Sequence, residues 1–380
     1  MHHFIFPTQD TWISSGSSNI DGTSFKDQNF GQDPILELKK EFFNLTFDYP
    51  TRALIQFDLT DISSSMVRAI STTRTQDIKN PKFYLRLFEA EGNKELSTEY
   101  KLAAFPISQS WDEGRGKFGD KPKVTNGCSW ENRSYPDGGS AVTWSRADGT
   151  NFYGGAFDSG SFNASQSFSY QSPDVEMDVT AIVNGWLDKS INNGNNYGFL
   201  LKFSGSQETN GTTFGHLKFF SSNTHTIYAP KLEVRWDDHT IITGSATGSL
   251  LQITSSGLVD NFLSMPGLRE SYKEDEKVKF RVKPRQRYVQ KTFSRAVQDM
   301  SGSYFGEGSG SYSIVDVGTG ETIVPFSAYT SMSCDANGNY FIQWLNGFYP
   351  DRIYKIIYKL KYTDGQEQIF DNNFEFKIKR

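Results

Sequence analysis

The sequence predicts an all-β protein made of two successive β-sandwiches. Apolar and polar residues alternate over many short runs, which is the pattern of strands with one buried face. The 380 residues are 15% aromatic and include 33 Gly, a composition that suits strands joined by turns. Long stretches with the helical period are few, so the pattern favours the all-β class.

The clearest strand is the run 52–59. Four apolar residues fall on one face at alternate positions: Ala53, Ile55, Phe57 and Leu59. Arg52, Gln56 and Asp58 fall on the other face, where Leu54 is the exception. The run therefore predicts a strand with one buried and one mostly polar face.

Further strands follow in the same half of the chain. The alternating runs lie at 83–88, 175–179, 199–203 and 232–236, and Thr180 is suited to cap a short helical run over 181–187. Residues 112–172 differ, because they hold ten Gly and ten Ser and keep no period for long. We expect a surface insertion with short strands of its own there, since structureless loops of that length are uncommon.

The second half of the chain predicts another β domain at 249–380, after a polar linker at 238–248. Asn337 and Gly338 tolerate the positive φ of a tight hairpin turn. A long apolar face recurs at every second residue over 354–362, and the terminal run 374–378 alternates again. We expect an immunoglobulin-like β-sandwich here.

The order of the short motifs in the first half suggests a family. Around the strand at 52–59, the series comprises Asp10–Ile13, Asn29–Gly31, Leu36–Leu38, Trp111–Gly114, Asp178–Thr180, Tyr197–Lys202 and Ala229–Val234. This series resembles the DNRLRE-type domain, a β-sandwich of the carbohydrate-binding-module kind, over roughly Phe4 to Trp236. The resemblance implies a jelly-roll sandwich at 1–237 that carries the insertion at 112–172.

The charge balance and the cysteines limit the functional classes. Lys and Arg number 39 against 44 Asp and Glu, a formal charge of −5, which argues against general nucleic-acid affinity. Cys128 and Cys334 fall in different predicted domains, so we expect no disulfide. We also expect no secretory signal, because the first residues include no basic stretch followed by a long apolar run. We expect no membrane span, because no run of about 18 apolar residues occurs.

The sequence offers no catalytic constellation, so we expect a protein that is not an enzyme. The five His residues lack zinc-site spacing, and no Gly-x-Ser-x-Gly motif occurs. A Ser-His-Asp triad or a carboxylate pair assembles only in space, and the sequence leaves both open. For metals we expect none, with a structural Ca²⁺ held by Asp10 and Asp178 as the alternative.

Three tryptophans are candidate ligand-binding residues. Trp111, Trp130 and Trp144 lie at the entry to or within the insertion, and modules of the resembled family stack such rings on sugars. The alternative is that the rings fill a core, because tryptophans are usually largely buried.

A basic run in an otherwise acidic chain is the candidate docking site. Lys277, Lys279, Arg281 and Lys283 alternate with apolar residues and so share one strand face. The run is either a solvated edge protected by charge or a surface that docks an acidic partner subunit. Binding to packaged DNA is a third alternative.

The two domains together resemble virion proteins of tailed bacteriophages. The resemblance extends to the aromatic-rich segments 337–341 and 371–376 of the second half. It implies a structural component of the neck, tail or head surface, assembled in the host cytoplasm and present in several symmetric copies that contact other virion proteins. The alternatives are an adhesin that binds a host surface glycan through the three tryptophans, and a polysaccharide-degrading enzyme.

Overall fold

The computed structural model of the protein describes residues 1–18, 22–40, 42–43, 47–60, 62, 79–91, 99–146, 148–169, 174–240, 248–254, 260–288 and 301–380. Across these ranges strands dominate and helices are short, which confirms the all-β class. Most of the expected linker lies outside the described residues.

The strands before residue 238 are short and numerous. They are β1 (His2–Ile5), β2 (Pro7–Ser14), β3 (Ile35–Lys40), β4 (Phe42–Phe43), β5 (Phe47–Asp48), β6 (Thr51–Phe57), β7 (Lys79–Leu87), β8 (Glu89–Glu91), β9 (Glu99–Pro106), β10 (Asn132–Ser134), β11 (Val142–Thr143), β12 (Ala164–Ser169), β13 (Val175–Asp178), β14 (Phe199–Phe203), β15 (Gly215–Phe220) and β16 (Lys231–Asp237). The α-helices are α1 (Thr180–Leu187) and α2 (Ser206–Thr209), and 3₁₀ turns occupy Asn192–Gly194 and Ser222–Thr224.

The remaining strands belong to the second half. They are β17 (Leu251–Ile253), β18 (Asn261–Ser264), β19 (Ser271–Lys273), β20 (Lys277–Gln286), β21 (Ser303–Phe305), β22 (Gly310–Asp316), β23 (Thr322–Val324), β24 (Ser333–Asp335), β25 (Gly338–Trp344), β26 (Ile353–Lys361) and β27 (Glu367–Lys379), with a 3₁₀ turn at Ala328–Thr330. The sheets have the orders β1-β16-β7-β13, β12-β9-β14-β6-β2, β3-β15-β8, β18-β20-β25-β24 and β19-β27-β26-β22-β23, besides the two-stranded pairs β4-β5, β10-β11 and β17-β21.

The chain divides into two compact units. The larger unit comprises Ile5–Arg74 and Lys82–Val234, and the smaller unit comprises Met1–Phe4, Thr75–Pro81 and Arg235–Arg380. The first four residues group with the smaller unit because the Phe4 ring is buried in its core. Gly347 makes room for that ring, since a Cβ there would lie 2.1 Å from it.

In the larger unit, strand β6 is covered on both faces. Ala53, Ile55 and Phe57 are buried on one side, as the alternation predicts. The other face is not solvated: Leu54 is fully buried in a second apolar cluster, and Arg52 is largely buried beside it. Leu54, the exception in the sequence pattern, therefore marks the face that the 107–157 segment covers.

The second apolar cluster joins β6 to residues of that segment. Its buried members are Ile13, Leu54, Ile107, Trp111, Cys128, Trp144, Ala156 and Leu200. The segment thus contributes a core of its own, and the two short strands β10 and β11 pair within it.

A buried asparagine orders the glycine-rich part of this segment. The side-chain amide of Asn29 donates to the carbonyl oxygens of Glu113 (2.6 Å) and Cys128 (2.8 Å). Its oxygen accepts from the backbone N–H groups of Gly31 (3.1 Å) and Gly116 (2.8 Å). A Cβ at Gly116 would lie 2.3 Å from the backbone oxygen of Asn29, so only glycine permits this approach.

The smaller unit is a β-sandwich with one continuous core. Side chains from both of its large sheets meet there, among them Val278, Phe280, Phe341, Tyr312, Tyr358 and Phe376. The rings of Tyr312 and Phe341 stack with centroids 3.7 Å apart. The expected hairpin joins β24 to β25, with Asp335 opposite Gly338, so its two loop residues are Ala336 and Asn337. Gly338 has a positive φ and begins β25, whereas Asn337 has none, so the expectation of positive φ holds at Gly338 alone.

We predict that Leu54→Ala lowers the free energy of unfolding of the larger unit by about 2–5 kcal/mol, because it opens a cavity in the second apolar cluster. Urea titration followed by tryptophan fluorescence measures the effect. Val142→Ala, at a valine that is 40% exposed, serves as the control and should change stability by less than about 0.5 kcal/mol. Equal losses in both variants would contradict the second core.

Candidate functional site

Two of the three predicted ligand-binding tryptophans lie inside the larger unit. Trp144 is fully buried and its indole N–H donates to the carbonyl oxygen of Ser129 at 2.8 Å. Trp111 is also buried and donates to the carbonyl oxygen of Tyr197 at 2.8 Å. Both rings fill the second apolar cluster, which corresponds to the core alternative considered for them.

Trp130, the third of these residues, is half-buried beside a group of charged side chains. The Arg52 guanidinium lies 4.9 Å from its ring and pairs with Glu208, with Nε 2.8 Å from Oε1. Lys202 binds the other carboxylate oxygen of Glu208. Burial opposes ionisation of Glu208, but the charges of Arg52 and Lys202 lower its pKa. The ring of Trp130 thus packs on a cation that is already paired.

The two aspartates considered for Ca²⁺ have separate partners. Asp10 is buried, and its carboxylate accepts two hydrogen bonds of 2.8 Å from the N–H and hydroxyl of Ser222. Asp178 is exposed and accepts from the N–H of Thr180 at 3.0 Å. Within the described ranges, no three His, Cys, Asp or Glu side chains come together as ligands for a metal ion.

Asp10 has a second carboxyl group as a neighbour. Its backbone N–H donates to Oε1 of Glu113 at 3.1 Å. Burial raises the pKa of Asp10 to about 6, and burial together with the nearby charge of Asp10 raises the pKa of Glu113 to about 7. These groups join β2 to the start of the 112–172 segment, and their protonation is linked to stability.

The predicted basic run occupies the outer face of β20 in the smaller unit. We define the basic face as Lys277, Lys279, Arg281, Lys283 and Arg285, which alternate along the strand. Lys277, Lys279 and Lys283 are exposed, and the two arginines are half-buried. The residues between them point into the core: Val278, Phe280, Val282 and Pro284.

Aromatic rings from neighbouring strands support the basic face. Lys277 lies over Trp344 at 5.0 Å, Lys279 over Tyr340 at 3.6 Å and Arg285 over Phe262 at 4.8 Å. The register of β20 with β25 places Tyr340 beside Arg281 and Trp344 beside Lys277, so these rings share the outer face. Such contacts hold the long cationic side chains against the sheet.

One carboxylate stands among these cations. The four strands β18, β20, β25 and β24 contain a single acidic residue, Asp335. Its two oxygens accept from the Arg281 guanidinium at 2.6 and 2.8 Å, and this pairing lowers the pKa of Asp335 to about 2. Lys277 and Lys283 have no acidic partner in the part of the chain that the structure describes. The basic face therefore keeps a surplus of positive charge.

The other sheet of the same sandwich is different. On its outer face, three lysines pair with carboxylates of the adjoining strand or of the turn before it: Lys355 with Asp371 at 2.6 Å, Lys359 with Glu367 at 3.4 Å and Lys377 with Asp351 at 2.9 Å. These ion pairs offset part of the positive charge of that face. On the basic face, Asp335 is the one carboxylate that the four strands supply.

A cavity of about 510 Å³ opens on the larger unit. Its rim carries polar side chains of several kinds: Thr8, Gln56, Asp58, Lys189, Asn193 and Asn195. Its floor includes the buried rings of Phe57 and Trp186. Hydrogen bonds from Thr60 lower the pKa of Asp58, so its carboxylate is ionised at neutral pH. Polar groups around an apolar floor form the usual arrangement of a small-molecule site.

The cavity and the aromatic part of the basic face were not predicted from the sequence. The cavity residues come from three separated segments, and no local pattern connects them. The alternation of Tyr340, Ile342 and Trp344 after the turn at Gly338 is visible in the sequence, but their pairing with β20 depends on strand register.

Comparison with known proteins gives no assignment: no protein-family model matches the chain, and no curated protein matches it. None of the helices in the described ranges is long and apolar enough to cross a membrane. The functional conclusion therefore depends on the surfaces described above.

We predict that Glu113→Gln changes the pH dependence of stability. Because its pKa is raised to about 7, the folded chain binds this proton more tightly than the unfolded chain, where the ordinary value is 4.5. The carboxyl therefore supports folding fully below its unfolded pKa and loses this contribution as the pH rises through about 7. Relative to wild type, Glu113→Gln should gain roughly 1–2 kcal/mol between about pH 5 and pH 8, after allowance for solvent screening.

Urea unfolding at several pH values measures this difference. The exposed residue Asp158 provides the control, and Asp158→Asn should follow the wild-type curve. A Glu113→Gln curve parallel to that of wild type would show that Glu113 does not titrate in this way.

Proposed function

We propose that the chain is a non-enzymatic structural component of a tailed-phage virion, located in the neck, tail or head surface. In this proposal the larger unit is a DNRLRE-like jelly roll and the smaller unit an immunoglobulin-like sandwich. The protein acts through contacts with neighbouring virion proteins and is present as a homo-oligomer in the particle. The ordered motif series of the first half and the aromatic-rich segments of the second half support the assignment.

The observation that carries the proposal is the surplus charge of the basic face. Among the described residues, this face sets five cations against one carboxylate and holds most of them on aromatic rings, whereas the other sheet pairs three of its lysines with three carboxylates. Complementary charge on a neighbouring protein gives such a surface partner selectivity and fast association. The docking alternative for the basic run is therefore favoured over the solvated-edge alternative.

We predict that Lys277→Glu/Lys283→Glu reduces incorporation into particles by at least about tenfold, because it reverses charge at two cations that have no acidic partner among the described residues. Quantitative mass spectrometry of particles purified from the producing cells measures the protein against other particle proteins. Lys361→Glu/Lys379→Glu changes the net charge equally on the other sheet, where both lysines are exposed, and should leave incorporation unchanged.

Two results would contradict the structural role. Absence of the wild-type chain from particles excludes a virion component. Equal incorporation of the wild type and of both double variants shows that the basic face does not mediate assembly. Circular dichroism of each purified variant confirms that the comparison is between folded proteins.

The second candidate function is that of an adhesin that binds a host surface glycan, and the cavity of the larger unit favours it. Amide, carboxylate, hydroxyl and ammonium groups around the cavity provide the donors and acceptors that sugar hydroxyls require. None of the three predicted tryptophans lines the cavity, so a glycan site there uses none of them.

We predict that, if the chain binds a glycan, Asn193→Ala/Asn195→Ala weakens binding on a glycan array by roughly tenfold, because two rim amides are lost. Trp130→Ala is the matched comparison, since it tests the half-buried ring away from the cavity. Loss of binding only in Trp130→Ala would place the site at the insertion instead. Absence of binding by the wild-type protein would exclude the adhesin function.

A further inference from the structure

We propose that the basic face binds an extended acidic segment of a partner polypeptide, with carboxylates at alternate positions along that segment. This inference depends on the proposed docking function and specifies the chemistry of the partner. Three features of the smaller unit support it: the spacing of the cations, the way the rings hold them and the occupied faces of those rings.

The spacing of the cations matches a polypeptide in strand conformation. Residues two apart on β20 lie about 6.7 Å from each other along the strand, because each residue of a strand advances about 3.3–3.4 Å. An extended partner segment has the same repeat. Asp or Glu side chains at every second position can therefore each meet one cation without distortion of either chain.

The aromatic rings restrict the lysine side chains before any partner binds. An exposed lysine normally loses considerable side-chain entropy when it binds a fixed charge. Lys277 over Trp344 and Lys279 over Tyr340 are already restricted in the unbound protein. These two lysines therefore lose less side-chain entropy on binding, which favours a partner with charges at fixed intervals.

The same contacts disfavour single-stranded nucleic acid. Proteins that bind it offer open aromatic faces on which bases stack. Here the faces of Tyr340, Trp344 and Phe262 each lie against a cation of the basic face. Carboxylates that approach the cations from above need no open ring face.

Asp335 indicates the contact that the partner would make. Its carboxylate forms the two-pronged pair with Arg281 and lies 3.6 Å from Lys279. Lys277 and Lys283, on either side of this pair, have no such group among the described residues. We therefore expect the partner's carboxylates to pair chiefly with Lys277 and Lys283.

The test uses the full chain and fluorescently labelled synthetic peptides of about twelve residues, long enough to span the basic face. One peptide alternates Glu and Ser, and a second has the same composition arranged as Glu-Glu-Ser-Ser repeats. A thymidine oligonucleotide of the same length is the third probe. Fluorescence anisotropy at about 0.05 and 0.15 M salt gives the dissociation constants.

We predict that the alternating peptide binds at least about fivefold more tightly than the blocked peptide, and more tightly than the oligonucleotide. Lys277→Glu/Lys283→Glu should weaken its binding by roughly tenfold or more, whereas Lys361→Glu/Lys379→Glu should not. Lys277→Gln/Lys283→Gln, which removes charge without reversing it, should give an intermediate loss.

Other outcomes would overturn the inference. Equal affinity for the two peptides would show that spacing has no role, and tighter binding of the oligonucleotide would identify a nucleic-acid surface. No peptide binding, together with failed incorporation of Lys277→Glu/Lys283→Glu into particles, would refute the acidic segment and leave the docking function intact. If the wild-type protein binds the peptide but Lys277→Glu/Lys283→Glu is incorporated into particles normally, the role of the basic face in assembly is refuted.

Discussion

Coverage of strand β6 on both faces is the constraint on which the larger unit depends. Ile55 faces one apolar core and Leu54 faces another, so the strand needs a covering segment on each side. Polar residues on the second face then lose their water and must find partners inside the protein. Arg52 does so through Glu208, which Lys202 also binds. The charged cluster beneath Trp130 is a consequence of this coverage.

Side-chain to backbone hydrogen bonds help to hold the covering segment in shape, besides the backbone–backbone bonds within it. The Asn29 amide satisfies four backbone groups, and the indoles of Trp111 and Trp144 each satisfy a carbonyl. Fully satisfied buried polar groups specify a single arrangement, because any rearrangement would leave several of them unpaired. Gly114, Gly116 and Gly127 allow the close backbone approaches around Asn29 that its bonds require. Features that suggest a ligand site in the sequence thus have a packing role in the structure.

In the smaller unit, the inner faces of the sheets serve folding, and the outer faces carry features that folding does not require. Alternating apolar residues on the inner faces of both sheets build the core, and the two outer faces are free to differ. One outer face pairs three of its lysines with carboxylates, and the other gathers cations over Tyr340 and Trp344. The core does not require this difference, and for that reason we propose a partner for the basic face.

The sequence by itself determined the strands, the hairpin at Gly338 and the single face shared by Lys277 to Lys283, because alternation at a period of two is a local property. Tertiary structure decided which strand faces are covered, since the covering residues lie far away in the chain. It also decided that Met1–Phe4 joins the smaller unit, that Tyr340 lies beneath Lys279, and that distant segments meet at the cavity. Strand register and long-range packing fix these neighbours, and no short stretch of sequence encodes either of them.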